Sequence, residues 1–177
     1  GFINADDMWA LGYTGQGQTI AVIDTGIKVN HTNFATAPQD PHFDAAGIQS
    51  VLNRYDLCAE ERYNGTLTGA TLYHSAKLPF TFNYYAGNTD VSHANAGSDH
   101  GTHVSSIAAG CDSSSRGVAY NAQIISMQVF QNGGAAWTEI LAALEDCAWL
   151  EVDALNMSLG SDIRKPGLNK VFNISRK

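Results

Sequence analysis

The sequence predicts an α/β fold, a parallel sheet flanked by helices. Three observations carry this expectation. Short, wholly apolar runs recur, of the kind buried on both faces of a sheet. Other stretches place apolar residues at helical spacing. The two kinds of segment alternate, as in βαβ units with parallel strands. At 177 residues and 44% hydrophobic, the chain can form one domain with a core and is not disordered by composition.

Gly12-Tyr13-Thr14-Gly15-Gln16-Gly17 is a turn-rich lead-in. Residues 19–23 then read as a buried strand, and 27–41 as a polar loop. Over 44–62, Ile48, Val51, Leu52, Tyr55, Cys58 and Ala59 recur at helical spacing, which predicts one helix. Residues 64–69 form a turn cluster, 78–85 an aromatic strand and 87–98 a loop. A helix is expected over 101–109, stopped by Gly110. Residues 123–130 read as a strand, broken by Gly133-Gly134. The clearest helix is 137–150, with Trp137, Ile140, Leu141, Leu144, Cys147 and Ala148 on one stripe. Residues 152–157 make a last strand.

Charge is unevenly spread. Residues 1–160 carry 16 acidic and five basic side chains, a net of −11, whereas 161–177 carry one acid and five bases, a net of +4. This break divides the chain into a main body, 1–160, and a basic tail, 161–177. The acidic body argues against nucleic acid as a partner. No apolar run reaches the ~20 residues of a membrane span. The start at Gly1 shows no charged-then-apolar leader, so the chain reads as processed or excised. Cys58, Cys111 and Cys147 cannot all pair and form no metal-type spacing; Cys147 is expected to be a buried thiol.

Two motifs carry chemistry. The first apolar strand ends in Asp24-Thr25-Gly26, and Asp99-His100-Gly101-Thr102-His103 opens a predicted helix. Strand carboxyl ends are where α/β sheets meet ligands. A carboxylate there can fix the tautomer of an imidazole and stabilise its protonated form. Each motif alone has a plainer reading. An Asp at a strand end is often a turn residue, and a lone His is often structural. His100 and His103 would also suit a metal, but spacing fixes no third ligand. A dinucleotide site is weaker still, because Gly15-Gln16-Gly17 precedes its strand. Asn30, Asn64 and Asn173 open glycosylation triplets, which arise readily by chance.

Together, Ile20 to Gly26 and His100 to Val104 resemble the Asp and His boxes of the subtilisin-like serine peptidases, the subtilases. Asn156-Met157-Ser158-Leu159-Gly160 resembles a third family element, a strand that pairs with substrate backbone. The likeness runs from about residue 3 to 160. It implies the three-layer α/β/α subtilisin-like fold, here incomplete. It further implies Asp24 as triad carboxylate, His100 as general base and His103 as a second, structural His. Ser158, Leu159 and Gly160 would bind substrate backbone. Ser158 is not the nucleophile, since the family's Gly-Thr-Ser turn is absent around it.

Departures from the family shape the expectation. The interval between Asp24 and His100 is long, with an insert at about 36–98, as in the larger secreted or cell-envelope bacterial members. Asn33 stands where calcium-holding members have a carboxylate, and 111–116 leaves little room for their calcium loop. No metal or other cofactor is therefore expected, although calcium belongs to some complete family folds. The oxyanion Asn and nucleophile Ser would lie beyond Gly160, and 161–177 resembles neither. The expected function is a serine endopeptidase acting on peptide or protein substrates, with this chain alone inactive. The expected partner is a missing carboxyl-terminal half, or another copy, covering the open edge of strand 152–157. The alternative is a non-catalytic fragment that binds peptide or complements a second chain.

Overall fold

The computed structural model describes residues 3–160. The basic tail expected over 161–177 lies outside the described residues. Strands β1 (Thr19–Asp24), β2 (Phe80–Asn83), β3 (Gln123–Gln128) and β4 (Ala154–Asn156) form one sheet in the order β2-β3-β1-β4. Every pairing is parallel, with Thr19 opposite Gln123 and Asp24 opposite Gln128 at the two ends of the central pair. The expected α/β class is therefore what the chain adopts.

Alternation along the strands builds two cores. Ala21 and Ile23 of β1 face one side with Ile125 and Met127 of β3, while Val22 and Ile124 face the other. On the first side pack helices α2 (Ala45–Leu52), α3 (Cys58–Arg62), α4 (Gly69–Leu72) and α6 (Trp137–Trp149). On the second packs α5 (His100–Ala109), through Ala109, Val104 and Ala108. Ile48, Leu57 and Leu72 are fully buried, and each contributes ~1.5–3 kcal/mol. The 36–98 span is thus held firmly on the sheet, and its aromatic strand β2 forms one edge.

The structure corrects several boundaries. The single helix expected over 44–62 is two, α2 and α3, separated at 53–57. Its apolar stripe survives, since Tyr55 stacks on Trp149 at 4.7 Å and Ala59 is buried. The break has a tertiary cause. Asp146, on α6, accepts from the Cys58 and Ala59 N–H groups at 2.7 and 3.0 Å. A carboxylate from another element thereby satisfies the opening amides of α3. Asp146 also accepts the Tyr84 hydroxyl at 2.7 Å. Burial pushes its carboxyl up to about 6, against the opposing pull of these three donors.

Other differences are smaller. Helix α1 (Ala5–Ala10) was unexpected because none of its residues is buried, so it has no apolar stripe. Trp9 tethers it by donating to the Val118 carbonyl at 2.8 Å. Strand β2 is shorter than 78–85, β3 shorter than 123–130 and β4 shorter than 152–157. The last is a sheet edge with Ala154 and Leu155 exposed, so only three residues find a partner. Cys147 is buried as expected, beside Met127, and all three cysteines are free.

Candidate active site

Strand β1 delivers Asp24 to the carboxyl edge of the sheet. The Val129 N–H holds the Asp24 carbonyl at 3.0 Å, so the backbone cannot drift from β3. The chain then turns through Gly26 at φ 90°. A side chain there would strike the Val91 carbonyl and the Gln128 amide, so the turn requires glycine. The Thr25 N–H donates to Asp24 Oδ1 at 2.7 Å, fixing the carboxylate's first oxygen.

Helix α5 brings His100 to the same point. The Gly101 N–H donates to Thr25 Oγ1 at 2.9 Å, and the missing Cβ of Gly101 lets α5 settle on the Gly26 carbonyl. Lys28 N–H donates to Thr102 Oγ1 at 2.9 Å one residue further on. The turn and the helix N-terminus are thus laced together on both sides of His100. The positive end of the helix dipole also favours the nearby carboxylate.

His100 Nδ1 lies 2.8 Å from Asp24 Oδ1 and 3.0 Å from Oδ2. The Asp24 side chain is 2% exposed and that of His100 46%. An ionised carboxylate only accepts, so Nδ1 carries the proton and Nε2 keeps its lone pair. Among the described residues nothing hydrogen-bonds Nε2. The arrangement can take a proton from a group presented on the solvent side of His100, with Asp24 stabilising the imidazolium.

The remaining expected residues lie past β4. Asn156 Nδ2 is 3.1 Å from Ser158 Oγ. Ser158 and Gly160 are exposed, whereas Leu159 packs against the larger core. Among the described residues, 157–160 follow β4 without a strand partner. His103, expected as a structural His, is exposed on α5.

Sequence reasoning missed two supporting residues. Thr25 was visible only as the middle of its box, and its bond to Gly101 depends on the fold. Gln128 is fully buried at the end of β3. It packs under Gly26, and its amide bonds Asn83 and the Phe130 carbonyl at 3.3 and 3.2 Å. A polar residue closing an apolar strand was the available signal.

Among the described residues, no group of three or more His, Cys, Asp or Glu converges as metal ligands. At the position considered for calcium, the 111–116 hairpin is closed by a Cys111–Arg116 bridge, and the Asn33 carbonyl is taken by the Cys111 N–H at 2.8 Å. The Asp112 carboxylate turns onto Ser114 at 2.6 and 2.8 Å. The adjoining cavity is lined by Lys28, His31 and Arg116. Calcium needs six to eight converging oxygens, and here the Asn33 carbonyl and the Asp112 carboxylate each have a protein donor.

The model of the subtilase family matches residues 15–176. The PII-type proteinase of Lacticaseibacillus paracasei is 32% identical over 170 residues, covering 90% of this chain and 8% of that protein. The minor extracellular protease Vpr of Bacillus subtilis (strain 168) is 30% identical over 166 residues, covering 93% of this chain and 16% of that protein. The chain thus spans a small part of these relatives. The solved CspB protease of Clostridium perfringens shares the fold at a TM-score of 0.56 and 18% identity, over 97% of this chain and 36% of that one. The chain belongs to the subtilase family.

Proposed function

We propose that this chain supplies the base and its orienting carboxylate to a serine endopeptidase centre whose nucleophile comes from outside the described residues. One observation carries the reading: the buried Asp24 carboxylate holds His100 Nδ1 at 2.8 Å while the His100 side chain is 46% exposed. His100 would deprotonate a serine as it attacks a peptide carbonyl, then return the proton to the leaving amine. Asp24 would hold the tautomer throughout. The open backbone at Ser158, Leu159 and Gly160 would pair with the substrate chain, the P-side strand extending the sheet edge at β4. The substrate is a peptide or protein, and the location secreted or cell-envelope, in keeping with the extracellular relative Vpr.

By itself the 177-residue chain is predicted to be inactive. Loss of the serine alone lowers turnover in subtilisin by about 10⁶-fold. The test is recombination with a carboxyl-terminal subtilase segment carrying a Gly-Thr-Ser box. Peptide hydrolysis should appear on mixing, be blocked by a serine-directed inhibitor, and vanish with Asp24→Ala or His100→Ala. Hydrolysis by the unmixed chain would contradict the proposal.

A second reading rests on the exposed β4 edge and on the 157–160 backbone, which has no strand partner among the described residues. It makes the chain a non-catalytic peptide binder or complementing fragment. Peptide binding without turnover, unchanged by Asp24→Ala and His100→Ala, would favour it.

A further inference from the structure

A cavity of about 820 Å³ lies on the outer side of α5, between that helix, the 28–33 segment and residues 115–118. Neither Asp24 nor His100 lines it. We propose that this cavity is a docking site for an acidic peptide segment with apolar flanks, separate from the candidate active site.

Basic side chains are scarce in the main body. Residues 1–160 carry five basic side chains against 16 acidic ones. Two of the five are already committed: Lys77 is buried on the Tyr120 and Ala122 carbonyls, and Arg62 bonds the Tyr84 and Thr138 carbonyls beside Glu139. Of the remaining three, Arg54 lies over Tyr55, while Lys28 and Arg116 both line this one cavity. Among the described residues neither makes an ion pair. The Arg116 guanidinium lies over the Tyr120 ring at 4.8 Å, and Tyr120 is itself braced edge-on by Trp9 at 5.4 Å. Stacking fixes the guanidinium plane and leaves its edge for a carboxylate.

Imidazole donors add to the cations. His31 Nδ1 accepts the Asn33 N–H at 3.2 Å, which puts the proton of the neutral ring on Nε2. His93 has a buried Nδ1 with no hydrogen-bond partner, and His103 is exposed on α5. A single carboxylate, Asp99, shares the wall, while the exposed Asp112 lies near His31. The lining therefore selects a negatively charged occupant.

Size and walls choose the class. A bare oxyanion needs the cations alone and little more than the ~30 Å³ of a water molecule. This cavity is far larger, and its rim exposes Ile3, Ile107 and Val118 at 68%, 56% and 46%. Exposed apolar side chains beside two cations suit a peptide that alternates acidic and aliphatic residues.

Isothermal titration of the full 177-residue chain tests this, using acetyl-Leu-Glu-Leu-Glu-Leu-Glu-amide at low ionic strength. Saturable binding is expected, weakened about tenfold in the Gln-for-Glu peptide and about tenfold by Lys28→Gln with Arg116→Gln. Lys28→Gln alone, at an exposed side chain, should weaken it about threefold and covers any misfolding of the double variant. His100→Ala should leave affinity unchanged. Equal affinity for the Glu and Gln peptides, or full binding by the folded Lys28→Gln and double variants, would overturn the proposal. Inorganic phosphate binding as tightly as the peptide would reassign the cavity to a free oxyanion and likewise overturn it.

Discussion

Gly101→Ala should separate His100 from Asp24. The new methyl would land on the Gly26 carbonyl oxygen and 3.2 Å from both Asp24 Cβ and Oδ1. Backbone and carboxylate surround the site, so no flexible side chain can yield. The start of α5 must instead move, by on the order of 1 Å. That shift strains the 2.9 Å Gly101–Thr25 bond and the 2.8 Å His100–Asp24 bond. Overpacking costs ~1–3 kcal/mol, and a hydrogen bond to a charged group ~1.5–3 kcal/mol. The better helix propensity of Ala returns about 1 kcal/mol, for a net loss of ~1.5–5 kcal/mol. Urea unfolding reads the stability. Proton NMR reads the low-field Nδ1–H of His100, assigned by its absence in His100→Ala. Both the stability and that resonance should be lost. A variant about 1 kcal/mol more stable, with the resonance intact, would refute the packing argument.

Asp146→Ala leaves two backbone N–H groups and the Tyr84 hydroxyl without their acceptor, and should cost ~3–5 kcal/mol in urea unfolding. With its folded value raised from 3.8 to about 6, Asp146 favours the folded state below pH 4 and loses that contribution as pH rises through 6. Wild type should therefore lose ~3 kcal/mol over that window relative to the slope of Asp146→Asn. Lys77 shows the opposite trend: burial lowers its ammonium from 10.5 to about 8, so its contribution is present above pH 10.5 and lost as pH falls through 8. The stability gain of wild type from pH 7.5 to 10 should shrink in Lys77→Met. Leu155 is 40% exposed on edge strand β4, and Leu155→Lys should reduce concentration-dependent association in sedimentation velocity with no change in circular dichroism.

How far the sequence could be read depended on where each residue's partner lies. Strands β1 and β3 and helices α5 and α6 announced themselves because their apolar residues repeat locally. Asp24 and His100 were legible as boxes, each with glycine beside it. The break between α2 and α3 was not legible, because the residue that caps α3 is Asp146, on a helix far along the chain. Thr25 and Gln128 hid for the same reason, since their roles are hydrogen bonds across the sheet edge. Lys28 and Arg116 lie far apart in the chain, and only the fold places them in one cavity. Local periodicity reports elements; tertiary polar contacts need the assembled structure.

The central claim is that the Asp24–His100 pair activates a serine carried elsewhere. Fluorophosphonate labelling read by mass spectrometry tests it directly, with the chain alone and after mixing with a carboxyl-terminal subtilase segment. The account predicts no label on any serine of residues 1–177. It predicts label on the added segment's Gly-Thr-Ser serine only when the wild-type chain is present, and none with His100→Ala. Labelling of that serine at the same rate with His100→Ala, or labelling of a serine within this chain, would contradict it.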